Sequence, residues 1–204
     1  MGTKGERTRE HVLATAETLI LSRGYSGTSI DEIISQSGLT KGGFFYHFEG
    51  KADLARHLMR RYLDKDMAFF VELSERARSL VDDPLQQYLL FLKLLAEAMV
   101  EFPDAHPGCL IASFTYEAHQ FDDQVRAMNA QGFLSWRELF LGHLEEIAKQ
   151  SPPKTEQPLE ELADMLSSVM EGGIIMSKVL NDDSVLGVQI LQYRNYIRLV
   201  FGDD

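Results

Sequence analysis

One cysteine in 204 residues excludes an internal disulfide and fits a reducing compartment. No apolar run approaches the roughly 20 residues needed to cross a bilayer. The N-terminal stretch MGTKGERTREHV lacks the apolar core of a signal peptide, and Glu6 stands where a myristoylation signal carries serine or threonine. A cytoplasmic protein with no membrane partner is expected. Repeats, low-complexity tracts and coiled-coil heptads are missing, as are a phosphate loop, G-x-S-x-G, H-E-x-x-H and paired-cysteine metal spacing. No catalytic residue, metal or cofactor is therefore expected. His106 and Cys109 are three apart with Glu117 and His119 nearby, but a loop histidine beside a small buried cysteine accounts for them better than a metal or Cys–His site. Positive charge is also scarce. The net charge is −11, which for the whole chain argues against nucleic acid. Its distribution does not: residues 1–61 hold nine Lys and Arg against seven Asp and Glu, or +2, leaving −13 for the remainder. Such a field presents the N-terminal end to a polyanion and turns the rest away.

What is present is concentrated in Ser29–Lys51, SIDEIISQSGLTKGGFFYHFEGK. Ser29 and Glu32 have capping-box spacing, and Ile30, Ile33 and Ile34 share one helical face. Gly38 ends that helix in the left-handed conformation, and Thr40 caps the next. In the second helix Leu39, Phe44, Phe45 and Phe48 are expected to face inward. Thr40, Lys41, Gly42, Gly43, Tyr46 and His47 are left for the outside. Two short helices around a glycine turn make a helix-turn-helix, whose second helix enters the DNA major groove. A hairpin placed only for packing has no reason to expose a lysine, a tyrosine, a histidine and two glycines. Each glycine costs about 0.5–1 kcal/mol of helix stability relative to alanine. Lys51, at the start of the following helix, is expected to hold a phosphate. Arg7 and Arg9 are either further backbone contacts or a solvated basic tail.

The runs RGYSGTSIDEI (Arg23–Ile33), SGLTKG (Ser37–Gly42) and FFYHFEGKADL (Phe44–Leu54) resemble the TetR family of bacterial transcriptional regulators. The resemblance covers about the first quarter of the chain. It implies a homodimer with an N-terminal DNA-binding domain and a larger effector-binding domain, the last two helices of each subunit forming a four-helix bundle across the dimer. Family members carry tyrosine at the position of Phe45, where the hydroxyl meets a phosphate; Phe45 has none, leaving Tyr46 to take that contact or to read a base. Gly50 replaces the usual serine or asparagine cap.

The fold class expected is all-α: nine helices in a TetR-like two-domain architecture, with a three-helix helix-turn-helix domain at 1–50 and a helical bundle at 51–204. Val12, Ala16, Leu19 and Ile20 mark the first helix, about Thr8 to Ser22. A long helix runs from Lys51 to about Leu80, and Asp83-Pro84 starts the next, to about Phe102. Further helices are expected at about Cys109–Ala118, Asp122–Lys149, Pro158–Leu180 and Ser184–Phe201, with a loop from Phe102 to Gly108. The last is apolar over most of its circumference and cannot face water on its outer side. Leu166, Met170, Ile174, Ile190, Tyr193 and Ile197 are the expected dimer contacts. Phe91, Leu95, Met99, Cys109, Phe114, Trp136 and Met170 are the expected lining of an apolar effector pocket. Cys109 follows a Pro-Gly turn and is either a buried, inert thiol or, by resemblance to electrophile-sensing family members, a sensor. The function expected is a ligand-responsive repressor that binds a palindromic operator in double-stranded DNA as a homodimer and is released by a small, mostly apolar effector. A helical ligand-binding or metal enzyme that kept a helix-turn-helix is the rival, and salt-dependent binding to a duplex separates the two.

Overall fold

The structure, a computed structural model, describes residues 3–100 and 107–202. Met1, Gly2 and most of the expected 102–108 loop, including His106, lie outside the described residues. Within them the chain is helical and contains no strand: α1 Lys4–Arg23, α2 Ile30–Ser37, α3 Lys41–His47, α4 Lys51–Leu80, α5 Pro84–Val100, α6 Leu110–Tyr116, α7 Asp123–Gln150, α8 Leu159–Leu180 and α9 Ser184–Phe201, with one 3₁₀ turn at Ala118–Gln120. No described helix is long and apolar enough to cross a membrane.

Local chemistry explains the boundaries. The Thr3 hydroxyl accepts from the Glu6 amide at 3.2 Å and the Glu6 carboxylate takes the Thr3 amide at 2.6 Å, a full capping box that starts α1 four residues earlier than the apolar pattern suggests. Ser29 caps α2 through the Glu32 amide at 3.1 Å, but the Glu32 carboxylate pairs with Arg23 instead of returning to the cap. Gly38 sits at φ +66° and closes α2, its amide and that of Leu39 both reaching Ile34. Asp83 and Asp122 cap α5 and α7, accepting from the Gln86 amide at 2.8 Å and the Val125 amide at 2.9 Å.

The chain divides into two compact units. The first is Met1–Lys65 with Pro107–Gly132, and the second Asp66–His106 with Phe133–Asp204. Both α4 and α7 contribute to each unit. Beyond residues 1–50, the first unit takes in the start of α4, α6 and the start of α7. Its core is Val12, Ala16, Leu19 and Ile20 from α1, Ile33 from α2, Phe44 and Phe48 around α3, and Leu54, Leu58 and Met59 from α4. Arg61 on α4 bridges to Glu10, at 2.6 Å, and to Glu17 on α1.

The second unit packs α5, α8 and α9 with the later parts of α4 and α7. Gly187 lets α9 approach α5 closely: a Cβ there would lie 2.9 Å from the Ala96 carbonyl oxygen. Arg137 and Asp164 tie α7 to α8 through two 2.7 Å bonds. The centre is aromatic, Tyr88 and Phe91 stacking on the His143 ring at 5.2 and 5.5 Å. The His143 Nε2 shares a 3.0 Å hydrogen bond with the Ser74 hydroxyl. Tyr193 donates to the Leu162 carbonyl at 2.8 Å.

Burial, helped by the charge of Arg78, pushes His143 from its ordinary 6.5 down to about 4. The unfolded chain then binds this proton first as pH falls, so stability is present above the unfolded value and drains away between about pH 6.5 and 4. His143 alone should remove about 2 kcal/mol between pH 7.5 and 5. Urea unfolding at the two pH values should give a smaller drop for His143→Gln than for wild type, and equal drops would refute the assignment.

Candidate nucleic-acid interface

A seven-residue helix can present a face only if something else fixes its orientation. In α3 that task falls to Phe44 and Phe48, which are fully buried, stand four residues apart and pack against each other at 5.5 Å. Arg9 lies over the Phe48 ring at 5.5 Å and is held against the protein, while Arg7 is exposed. The N-cap of α3 is the Thr40 hydroxyl, which accepts from the Gly43 amide at 3.1 Å.

The opposite face of α3 is open. Lys41 and Gly42 are exposed, Tyr46 is 83% exposed, and His47 is half-buried with its ring 5.0 Å from that of Tyr46. A methyl group added at Gly42 would meet nothing within 4 Å, so no internal packing demands that glycine. Gly43 is tighter, with the Thr40 hydroxyl 3.3 Å from its Cβ position. Phe45 departs from expectation: it is 45% exposed and belongs to the outer face. Geometry gives the reason, since a residue next to Phe44 is turned about 100° from the buried stripe.

Lys51 also lies elsewhere than expected. Its ammonium donates to the Tyr25 carbonyl and lies 4.1 Å from the centre of the Tyr25 ring. Burial lowers its pKa, partly opposed by the nearby Glu117 carboxylate. The Lys51 ammonium, expected to hold a phosphate, thus lies against the corner between α1 and α2.

The residues expected to line an effector pocket fall into both units. Phe91, Leu95 and Met99 are buried in the second unit, where Trp136 and Met170 are half-buried. Trp136 packs edge-on against Phe70 at 6.0 Å. Cys109 and Phe114 belong to the first unit. Phe114 stacks on Phe121 at 4.2 Å and meets Tyr25 edge-on, and the buried Cys109 caps α6, its sulfur accepting from the Ala112 amide at 3.5 Å.

The residues expected as dimer contacts are mostly buried. Leu166, Ile174, Ile190, Tyr193 and Ile197 are buried in the protomer's own core, and Met170 is half-buried. The outward stripe of α8 is carried instead by Met165, Val169, Gly172, Met176 and Val179, spaced four, three, four and three residues apart. Val179 is 77% exposed, and Val188, Leu191 and Leu199 are exposed on α9. Among the described residues no cluster of three or more His, Cys, Asp or Glu has a metal-holding arrangement.

The sequence profile described as "Bacterial regulatory proteins, tetR family" matches residues 12–58, and that of the "Transcriptional regulator LmrA/YxaF-like, C-terminal domain" matches residues 84–189. The repressor DhaR of Mycobacterium sp. (strain GP1) is 26% identical over 171 residues, 84% of this chain and 82% of that protein. The regulator LmrA of Bacillus subtilis (strain 168) is 26% identical over 182 residues, 87% of this chain and 90% of that protein. The crystal structure of a TetR-family regulator from Agrobacterium tumefaciens superposes with a TM-score of 0.80 at 20% identity, covering 98% of this chain and 100% of that one.

Gly42→Ala should raise stability by about 0.5–1 kcal/mol, because the site is helical and unobstructed. The same methyl should weaken DNA binding if a backbone must come close at this point. Thermal unfolding and titration with a duplex that the wild-type protein selects from a random pool check both halves. A variant that binds as well as wild type would remove the reason given for the glycine.

Proposed function

The chain belongs to the TetR family of bacterial transcriptional regulators, DNA-binding proteins and not enzymes, and on that premise we propose that it is a cytoplasmic, ligand-responsive repressor that binds a palindromic operator as a homodimer. The observation that carries this reading is the open face of α3. Lys41, Gly42, Tyr46 and, at its edge, His47 stand on a helix whose other face is locked by Phe44 and Phe48. Lysine, tyrosine and histidine side chains donate hydrogen bonds to phosphates or base edges, and the bare backbone at Gly42 lets the helix lie deep in a groove. Thr40 and Gly43 complete the expected interface at the entry to α3, the Thr40 hydroxyl being shared with its capping role. Tyr46, on the same open face, takes the phosphate contact that Phe45 cannot make or reads a base. In this reading 1–50 is the DNA-binding segment, and 51–204 supplies effector binding and dimerisation.

Dimerisation through α8 and α9 is supported by the apolar stripe from Met165 to Val179, which a soluble monomer has no reason to expose beside Val188, Leu191 and Leu199. A two-fold axis through that surface places two α3 helices on a near-palindrome, their half-sites about 34–36 Å apart or at a multiple of that spacing. Effector binding is supported by the aromatic centre of the second unit around Phe91 and Trp136. In that unit the Trp136 Nε1 and the Ser167 hydroxyl are buried with no hydrogen-bond partner among the described residues. An unpartnered buried donor costs about 1–3 kcal/mol, so an apolar effector bearing an acceptor would relieve it. Release of DNA then requires only that the effector binds the non-DNA conformation better. DhaR and the Escherichia coli relative NemR are named repressors, which supports that sign of regulation.

Lys41→Ala should weaken operator binding by roughly 1–3 kcal/mol and relax preference at one base pair, as measured by titration against single-base variants of the selected duplex. Equal affinity of this variant and wild type for every duplex would sink the recognition assignment. Met176→Arg and Val179→Arg should give folded monomers that have lost tight operator binding. Ile190→Arg should instead unfold the protomer, because its side chain is fully buried. Light scattering at micromolar concentration checks all three, and a wild-type monomer there would end the dimer reading.

A further inference from the structure

The corner between α1 and α2 is held from a distance of 92 residues in sequence. One oxygen of the Glu117 carboxylate accepts from the Tyr25 amide at 2.6 Å. The other accepts from the Ser26 amide at 2.8 Å and from the Ser26 hydroxyl. Three donors on two adjacent residues thus converge on one side chain, delivered by the end of α6. The approach is close enough to dictate the residue opposite: a Cβ on Gly24, already at φ +79°, would stand 2.8 Å from the Glu117 Oε1. Lys51 reaches the same corner through the Tyr25 carbonyl, and the Tyr25 ring packs on Phe114 and Phe121 at 5.7 and 4.4 Å. Arg56 on α4 adds a further tie, bonding Asp122 at 3.0 Å just beyond the 3₁₀ turn. Burial works against the charge on Glu117. The Ser26 hydroxyl, the Ser26 and Tyr25 amides and Lys51 outweigh it and hold the carboxyl below the usual range. It stays ionised through the physiological span.

We propose that Glu117 is a positioning residue for DNA binding: its carboxylate fixes the Tyr25–Ser26 corner from which α2 and then α3 are hung. The corner leads directly to Thr28, buried with its hydroxyl on the Gly24 carbonyl, and to Ser29, the cap of α2. A shift at the corner is passed to α2, and through the short Gly38 turn to α3. Glu117 itself acts by holding other groups and not by touching the nucleic acid. The inference rests on the DNA-binding assignment and needs neither the effector nor the dimer.

The sign of the effect makes the test specific. Removing a negative charge from a DNA-binding unit should, by electrostatics alone, tighten binding to a polyanion. Loss of positioning predicts the reverse. Glu117→Gln should weaken binding to the selected duplex roughly 10-fold and Glu117→Ala roughly 10- to 100-fold, the range expected for lost charge-assisted hydrogen bonds. The dependence of log K on log salt should keep its wild-type slope, because no phosphate contact is removed. Hydrogen exchange at the Tyr25 and Ser26 amides should quicken in both variants, with the α1 and α4 cores still protected. Ser26→Ala, which deletes only the hydroxyl donor, should give a smaller loss and keeps the proposal testable if the Glu117 variants do not fold. Wild-type binding secures the DNA-binding reading independently. Glu117→Gln binding as well as or better than wild type, a reduced salt slope, or a loss matched by an equal loss of folded protein at the assay temperature would each overturn the proposal.

Discussion

A helix of seven residues with two glycines in its first turn has no standing of its own in water, where even alanine-rich helices shorter than about 12–15 residues are marginal. Everything α3 presents therefore depends on the burial of Phe44 and Phe48. Two phenylalanines four residues apart fix both the position and the rotation of so short a helix. Burying one phenylalanine contributes about 1.5–3 kcal/mol, several times the propensity penalty of either glycine. The apolar term wins, so the outer face is free to carry residues that are poor for stability.

Fixing rotation is not enough, since α3 is also positioned by what precedes it. Gly38 sets the turn from α2, while α2 is aimed by the corner at Gly24–Ser26. That corner has few apolar side chains of its own besides Tyr25, and it is secured mainly by hydrogen bonds from outside: Glu117 on its amides, Lys51 on its carbonyl. A carboxylate receiving two amides and a hydroxyl is a stronger hold than neutral bonds would be. Together with the packing of Tyr25 on Phe114 and Phe121, it joins α6 and the start of α7 to the first 65 residues.

Much of this architecture was legible in the sequence, but unevenly. Helices α2 to α4, α8 and α9 lie within about a residue of where capping residues and apolar periodicity put them, because both signals act locally. The start of α1 needed the Thr3–Glu6 capping box, which lies ahead of any apolar residue that periodicity could register. Hydrophobicity groups Phe45 with the core, although its angular distance from Phe44 on a helix sets it apart. The expected dimer residues rest on a less specific signal. Ile190, Tyr193 and Ile197 form the strongest apolar face of α9, and such a face reports burial without saying against what. It meets the protomer's own helices. The weaker stripe of α8, interrupted by Gly172, is the one left outward. Nothing local could have assigned Phe114 or Glu117 to the helix-turn-helix unit, since their partner Tyr25 lies some ninety residues away.

Among the described residues two outward faces stand out, one on α3 and one on α8. Each has the character of an interface, yet their chemistry differs. The α3 face is basic, aromatic and glycine-rich on the end of the chain with a net charge of +2. The α8 stripe is aliphatic and thioether with no charge within it, on the part that carries −13. A polyanion suits the first and is repelled by the surroundings of the second. An apolar surface of the same kind suits the second, because burying Met176 and Val179 against a like stripe removes both from water without pairing any charge. The distribution of charge along the chain thus suits the first face to a polyanion and the second to an uncharged surface.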